Sequence, residues 1–522
     1  MDEFVGTAKR QVIRLHPLDT QASFLNIPYH FFFANSDNAP DFMPSDAMRV
    51  AFYRALRQFP ILAGCLRPEG KGQTSIVVDP LDLNMPEYVE SQSDVHFDTL
   101  RDAKFHHSAW PAGLTRAGAI TMATTGDLDK KERIRMANVH VVRLRDNSGV
   151  AVFLNIPHYV VDGTGFFSFA ELWGRHCAAE RSGNSELVRQ AAQAEFCFDR
   201  DVIARHLPSV DRKPLSQDTL QVYTGFSPIA DWLAWLSPGT RGRLLSRAKF
   251  SANVVSHTFR VPLSALAQLR KQIHALSASN SATGDAAEDV GDLEAKYSDR
   301  YLMAAILSKL VARAHRSRKE LEATSSKKWS LLGTACSVLK TLTNLVFGNG
   351  DASRYQSLNL LDDVRHGLAI GDLNYMGNGL LPHNTQCPLD VLETPITTES
   401  LALAVDLVRP VYENADAALI ASFVDMISAN HRCFTRPMVY LASHPESLVV
   451  TSETEFKLYA ADFGNGPPEW VCTIPSFVAN FVGVLPCPPP STDIVVNIIM
   501  KAPVMAQILR DEFWRDLTQI VY

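Results

Sequence analysis

The sequence predicts an α/β protein of two domains, each a mixed β-sheet flanked by helices. The chain has 522 residues, too many for one compact core and an ordinary length for two domains. Segments patterned like strands alternate with segments of helical spacing along the chain, which is typical of sheets covered by helices. Hydrophobic residues make up 46% and charged residues 20% of the sequence, the balance of a globular protein.

Residues 1–205 are expected to form the first domain. The apolar run 150–157 has the β-branched and aromatic content of a buried strand, and Asp-Asn-Ser-Gly at 146–149 is a strong turn signal before it. Ser45 can cap a helix whose apolar residues recur at helical spacing up to Leu56. Strands are predicted over 11–15, 24–33, 133–145 and 149–156, and helices over 45–58 and 166–180.

Residues 206–242 are expected to connect the domains, because prolines make the pattern irregular there, and residues 243–522 are expected to form the second domain. Asn414 can cap a helix, and segment 467–490 is a candidate to cross back to the first domain. Strands are predicted over 256–261, 447–452 and 494–500, and helices over 263–276, 301–315, 398–408 and 415–434.

Two segments of the second half have an unusual composition. Segment 277–296 is rich in Ser, Ala, Asp, Gly and Glu, so it cannot bury enough apolar surface to offset its ordering entropy and is predicted to be a disordered insertion. Segment 329–347 is the nearest approach to a membrane span, but Lys340 and several hydroxyl residues favour a buried or channel-lining helix.

Charge and cysteine usage exclude several functions. The formal net charge of −6 comes from acids and bases mixed throughout, which leaves no basic stripe for nucleic acid. The eight cysteines show no CxxC pair and no metal-ligand spacing, so no metal is expected. The first residues lack the basic and apolar regions of a signal peptide, and a cytoplasmic location is expected. Arg14-Leu15 followed by Gln21-Ala22 gives a short peroxisomal pattern as the alternative.

The most informative stretch is His158-Tyr-Val-Val-Asp162-Gly163, directly after the apolar run that ends at Pro157. A strand end would place His158 at a strand-to-loop corner on a rigid support. With an ordinary pKa of about 6.5, histidine can take and return a proton near neutral pH. The motif therefore predicts a base for acyl transfer. The alternative is a satisfied core or surface histidine with a chance aspartate nearby.

Two further signatures follow downstream. Asp-Phe-Gly-Asn-Gly at 462–466 predicts a sharp turn with its phenylalanine in a core. Asp-Val-Arg at 363–365 ends a strand-like segment and leads into Tyr-Met-Gly-Asn at 375–378. A kinase-type DFG role is excluded, because the glycine-rich loop, strand lysine and HRD segment that it requires are missing.

In this order, the segments resemble the BAHD family of acyl-CoA-dependent acyltransferases. That family pairs HxxxDG near the chain middle with DFGWG near the C-terminus, and carries a D-x-R stretch and a YFGN-like turn between them. Segments 17–19 and 59–64 also match early family elements, so the resemblance covers nearly all of the chain outside 277–296. Departures are Asn465 for the tryptophan of DFGWG, Pro157 before the histidine, and Ser452-Glu453 where the family has Ser-Trp. These departures are similar to those of the divergent fungal branch of the family.

The resemblance implies two domains like chloramphenicol acetyltransferase, with a channel between them and His158 at its middle as the catalytic base. Acyl-CoA would be a co-substrate rather than a bound cofactor. The acceptor would be a hydroxyl or amine of a small molecule, such as a secondary metabolite or glycolipid. A monomer without a transmembrane segment is expected.

The resemblance also implies roles for the other motif residues. Asp162 belongs to the catalytic motif, either as a triad partner of the histidine or, as we favour, through a structural pair with Arg365. Supporting roles are expected for a further set of motif residues, namely Gly163, Asp462, Gly464 and Gly466. Two other functions stay open: a condensation-domain-like acyltransferase using a carrier-protein thioester, and a catalytically inactive binding protein of the same fold.

Overall fold

Two large mixed sheets and one small sheet form the framework of the molecule. The structure, a computed structural model, describes residues 8–21, 25–70, 73–115, 134–225, 253–281, 296–325, 354–429, 446–474 and 479–522, together with residues 6, 232, 437, 440 and 444. The strands are β1 Gln11–Arg14, β2 Asn26–Ala34, β3 Cys65–Gly70, β4 Gln73–Val78, β5 Glu87–Gln92, β6 Asn138–Arg143, β7 Gly149–Pro157, β8 Val254–Val261, β9 Tyr355–Asp363, β10 Leu380–Pro388, β11 Leu448–Ser452, β12 Trp470–Thr473, β13 Phe481–Pro486, β14 Ile494–Lys501 and β15 Gln519–Ile520.

Helices cover the sheets. They are α1 Pro17–Gln21, α2 Ser45–Gln58, α3 Phe97–Asp102, α4 Gly163–Ser182, α5 Ser185–Ala192, α6 Asp201–His206, α7 Gln217–Thr224, α8 Leu263–Ser281, α9 Asp299–Ser325, α10 Val364–Gly367, α11 Leu389–Leu392, α12 Thr398–Glu413, α13 Ala417–Ala429, α14 Ala502–Ile508 and α15 Glu512–Leu517.

The first large sheet has five strands in the order β12-β2-β7-β6-β5, and it is antiparallel except for the β5–β6 pair. All nine residues of the central strand β7 are buried, which explains its continuous apolar run. Helices α2 and α4 pack together beside the sheet, where Phe52 makes edge-on contacts with Phe169 and Trp173 at centroid distances of 5.8 and 5.4 Å. Strands β1, β4 and β3 form a separate small antiparallel sheet.

The second large sheet has seven strands in the order β10-β9-β11-β13-β14-β8-β15. Its β9–β11 and β11–β13 pairs are parallel, and the other pairs are antiparallel. Buried residues of α9, α12 and α14 share one hydrophobic core with its strands. The predicted fold class, two mixed sheets flanked by helices, is confirmed.

The chain crosses between the two large sheets near its C-terminus. β11 belongs to the seven-stranded sheet, whereas β12 pairs with β2 of the five-stranded sheet, with Trp470 opposite Phe32. β13 then returns to the seven-stranded sheet beside β11. The division at residues 206–242 stays a prediction.

Two helix caps differ from the predictions. Ser45 is the first residue of α2, and the preceding Pro44 has extended backbone and no side-chain cap. Asn414 follows the end of α12 and does not start α13. The carboxylate of Asp416 accepts a hydrogen bond from the N–H of Leu419 at 3.0 Å instead, because Asp416 stands immediately before the helix, where a cap must lie.

The connecting and insertion segments also contain more regular structure than predicted. α7 lies inside the segment that the prolines made irregular, because Ser216 caps it by accepting from the N–H of Thr219 at 3.0 Å. α8 extends to Ser281, so residues 277–281 are helical and the insertion prediction is wrong there. Residues 282–295 and the helix predicted over 329–347 lie outside the described residues. Across the described ranges, no helix combines the length and apolar content needed to span a bilayer.

Candidate active site

His158 stands at the end of β7, and its backbone is fixed on both sides. Its N–H donates to the carbonyl of Leu25 at 2.8 Å. The side-chain amide of Asn378 donates to the His158 carbonyl at 2.7 Å, and the same nitrogen lies 3.1 Å from the ring Nδ1. Within the described residues, no hydrogen bond engages the ring Nε2. The imidazole is therefore held at its backbone end, with one nitrogen open for chemistry.

The ring borders a cavity of about 480 Å³ between the two large sheets. Tyr29 and His158 line it from the five-stranded sheet, and Asn359 and Val450 line it from the seven-stranded sheet. The cavity lies between the two sheets, where the family resemblance implies a channel with His158 beside it. A volume of this size accommodates part of a small organic molecule.

Burial controls the protonation of His158. Removal of the ring from water lowers its pKa, and the neighbouring carboxylates of Asp162 and Asp19 and the hydrogen bond to its own backbone carbonyl offset this only in part. The imidazole is therefore neutral at neutral pH, which is the state that a proton acceptor needs.

Asp162 does not bind the imidazole. Its two carboxylate oxygens accept from the guanidinium of Arg365 at 2.7 and 3.1 Å. They also accept the backbone N–H groups of Gly379 at 2.8 Å and Gly165 at 3.2 Å. The latter bond makes Asp162 the N-cap of α4. The carboxylate therefore joins loop 158–162, between β7 and α4, to the turn before β10 in the other half of the molecule.

Arg365 hydrogen-bonds to two carboxylates and to the turn at 375–378. It also binds both oxygens of Asp363 at 2.9 Å and donates to the carbonyls of Tyr375 and Gly377 at 2.8 and 2.7 Å. Burial would raise the pKa of Asp162, but the guanidinium outweighs it and holds that pKa below its ordinary value. For Asp363, burial and the charge of Asp162 prevail and raise the pKa. The pKa values of the two carboxylates beside Arg365 are therefore shifted in opposite directions.

Gly163 is required for close contact between the two halves. A Cβ atom on this residue would lie 2.2 Å from the ring of Phe456, in the segment after β11. No side chain other than hydrogen fits this approach without displacing the ring. The glycine of HxxxDG therefore lets loop 158–162 and the start of α4 approach the second half directly.

A second buried ion pair lies behind loop 158–162. The carboxylate of Asp19 accepts from Arg200 at 3.0 Å and from the backbone N–H of Asn378 at 3.0 Å. Arg200 also donates to the carbonyl of Val160 at 2.6 Å. Asp19 and Arg200 are almost completely buried. Asp19 therefore holds the backbone of Asn378, whose side chain contacts His158.

The Asp-Phe-Gly-Asn-Gly turn lies away from the cavity, against α4. Asp462 accepts three backbone N–H groups at 2.7 to 3.1 Å from residues 464–466, and Gly466 has a φ of +91° that favours glycine. Phe463 packs edge-on against Trp173 of α4 at 4.8 Å. Asp462, Gly464 and Gly466 do not contact the described cavity, and their turn ties the C-terminal half to the first.

Comparisons with known proteins agree with this geometry. Residues 7–222 match the family described as Transferase family. The resemblance to the BAHD-type acyltransferases is confirmed, and with it that the protein is an enzyme of the transferase class. No curated protein matches the sequence significantly.

Solved structures share the fold of this transferase along almost its whole length. The TRI101 protein of F. sporotrichioides, complexed with coenzyme A and T-2, is 15% identical with a TM-score of 0.62, covering 98% of this chain and 100% of its own. The TRI101 protein of F. graminearum, complexed with coenzyme A and T-2 mycotoxin, is 13% identical with a TM-score of 0.62 and the same coverages. Vinorine synthase is 16% identical with a TM-score of 0.52, covering 97% of each chain.

Several residues at the site of this transferase carry no pattern in the sequence. Asp19 belongs to a segment that resembles a family element, but its partner Arg200 stands alone in the sequence. Glu453 is visible only as a departure from the family, and its hydrogen bond with the hydroxyl of Tyr29 joins residues more than four hundred positions apart. Asn378 belongs to a recognised segment, yet its contact with His158 depends on the fold.

Proposed function

We propose that this transferase moves an acyl group from acyl-CoA to a hydroxyl or amine of a small-molecule acceptor, with His158 as the general base. The observation that carries the proposal is the free Nε2 of His158 in the cavity between the two sheets. The likeness to TRI101 structures containing coenzyme A and a small molecule supports the choice of substrates.

His158 would act in the tautomer that leaves Nε2 unprotonated. In this tautomer Nδ1 carries the proton, so the Asn378 amide nitrogen, 3.1 Å from Nδ1, would donate to the His158 carbonyl and not to the ring. The hydrogen bond between the ring and the residue's own backbone carbonyl would then come from Nδ1–H. An alcohol is too weakly acidic to ionise beside a neutral imidazole. Nε2 therefore accepts the hydroxyl proton as the oxygen forms its bond to the thioester carbonyl carbon. The carbon–sulfur bond then breaks, and the imidazolium returns the proton to the CoA thiolate. General-base catalysis of this kind contributes roughly 10²–10⁴-fold.

The remaining motif residues would support this base. Asp162 and Arg365 position the catalytic loop, Gly163 allows its contact with the second half, and Asp462, Gly464 and Gly466 fix the turn on α4. The bonds that occupy both Asp162 oxygens support a structural role over a triad. The proposal also includes that the protein is a monomer and that its two domains divide at 206–242. It would act in cytoplasmic secondary metabolism.

The test mixes the purified protein with acyl-CoAs of increasing chain length and a metabolite extract, and measures free thiol and acylated products by mass spectrometry. The proposal predicts thiol release coupled to a new ester or amide. A parallel reaction with acyl groups on a carrier protein separates the condensation-domain alternative. Turnover only with the carrier thioester, or no turnover with either donor across the panel, would overturn the proposal.

A further inference from the structure

The carboxyl group of Glu453 lines the cavity, and a hydrogen bond holds one of its two oxygens. Glu453 directly follows β11, and its backbone N–H donates to the carbonyl of Val484 at 2.7 Å. Its Oε2 accepts a hydrogen bond from the hydroxyl of Tyr29. In the described part of the chain, its Oε1 makes no hydrogen bond. Both residues line the cavity together with His158, so one carboxyl oxygen is left for a ligand.

Glu453 differs from the other carboxylates that line the cavity. Each of the others lies within ion-pair distance of a basic side chain, as in the pairs Asp162–Arg365, Asp363–Arg365, Asp362–Arg300, Asp299–Arg270 and Glu455–His366. Glu453 has no such partner among the described residues. Burial raises the pKa of Glu453 to about 7, and the hydrogen bond from Tyr29 offsets this only in part. A cation bound beside this buried carboxyl group would stabilise its ionised form.

Aromatic rings flank the same position. The ring of Tyr29 lies 4.9 Å from that of Phe167, which lies 5.9 Å from Phe456. All three rings border the cavity, and Phe456 touches the catalytic loop at Gly163. Aromatic faces attract alkylated ammonium groups electrostatically, and a carboxylate beside them supplies the opposite charge.

We infer that Tyr29, Phe167, Glu453 and Phe456 form a subsite for a protonated, alkylated amine carried by the acceptor. This inference rests on the proposed function, because the subsite shares its cavity with His158. The acceptor class is then an amino alcohol, whose hydroxyl is acylated while its ammonium group binds Glu453. A purely hydrocarbon acceptor would leave the carboxylate desolvated without a counter-charge.

The test compares two alcohols of the same shape with acetyl-CoA as donor. They are dimethylaminohexanol and the branched alcohol in which CH replaces its nitrogen. The wild-type protein should prefer the amine, and Glu453→Gln should lower kcat/KM for the amine at least about tenfold, the loss expected when one partner of a desolvated charge pair is removed. The value for the neutral alcohol should change less than about twofold, and Glu453→Asp should recover part of the preference.

Glu186→Gln is the matched control, because it removes one negative charge from an exposed position on α5. It should leave both alcohols unaffected. Equal use of the two alcohols by the wild-type protein, or equal loss for both in Glu453→Gln, would overturn the subsite while leaving acyl transfer intact.

Calorimetric titration with dimethylaminohexanol, without any acyl donor, distinguishes failure of the subsite from failure of the proposed function. If no acceptor is acylated but the amine binds and Glu453→Gln abolishes that binding, the subsite stands and the proposed function fails. If the amine does not bind to the folded wild-type protein, the subsite is overturned.

Discussion

Burial and the neighbouring groups shift the pKa of His158 in opposite directions, and burial has the largest effect. Burial lowers its pKa, while Asp162, Asp19 and the hydrogen bond to its own carbonyl raise it. The neutral form is the form that accepts a proton, so a lowered pKa extends activity toward acid. The residue is therefore suited to act as a base across the neutral range.

The pH dependence of kcat tests this environment. Activity should be constant through neutral pH and fall on acidification with a midpoint below about 6.5, the ordinary histidine value. A neutral alcohol should be the acceptor, because Glu453 ionises near pH 7 and would add its own effect on an amine. A midpoint above pH 7 would show that burial does not dominate at His158.

Asp162→Asn should abolish activity and lower the melting temperature. The substitution leaves the buried Arg365 without its main counter-charge, and breaking such a pair on one side costs about 3–5 kcal/mol. Asp46→Asn is the control, because its carboxylate is largely exposed beside Arg49 and such pairs contribute about 0–1 kcal/mol. An unchanged melting temperature in Asp162→Asn would contradict the structural role and return the triad role to consideration.

At the scale of elements, Asp19 at α1 joins segments that are distant in the sequence. It binds Arg200 just before α6 and the N–H of Asn378 before β10, and Arg200 donates to the carbonyl of Val160 in loop 158–162. Loss of this carboxylate should therefore disturb the site without touching a substrate.

Asp19→Asn should reduce kcat and stability together, by about 3–5 kcal/mol in the free energy of unfolding, since Arg200 loses its counter-ion in a buried position. Chemical denaturation and steady-state kinetics at saturating acyl-CoA measure the two effects. Full activity combined with wild-type stability would show that the pair is not part of the support of His158.

Elements with strong periodicity or continuous apolar runs could be predicted from the sequence. β7 and α2 are of this kind, because their patterns follow directly from burial. The short strands β3, β4 and β5 were missed, since they contain partly exposed residues without the alternation that marks a half-buried strand. Asp416 caps α13 in place of the predicted Asn414, because both residue types favour an N-cap position and the sequence does not distinguish them.

At the scale of the whole molecule, the site depends on contact between the halves. The turn at 462–466 packs on α4, β12 joins the five-stranded sheet, and Phe456 lies against Gly163. The His158 and Asp162 motif was visible in the sequence because local spacing creates it. The contacts made by Asn378, Arg200 and Glu453 could not be predicted, because they arise only when distant segments meet.

Gly163→Ala tests the contact between the halves. The added methyl group would overlap the ring of Phe456, and overpacking of this kind typically costs about 1–3 kcal/mol. Stability should fall in the single variant and recover partly in Gly163→Ala/Phe456→Ala, which removes the ring, when both are compared with Phe456→Ala alone. Additive effects of the two substitutions on the melting temperature would contradict the predicted contact.

The most direct test of the central claim measures thiol release by the wild-type protein and His158→Ala at saturating acyl-CoA and acceptor. The substitution keeps the backbone bonds to Leu25 and Asn378, so the melting temperature should stay nearly unchanged. The rate should fall by roughly 10²–10⁴-fold, the contribution of a positioned general base. A folded His158→Ala protein that releases thiol at the wild-type rate would contradict the proposed mechanism.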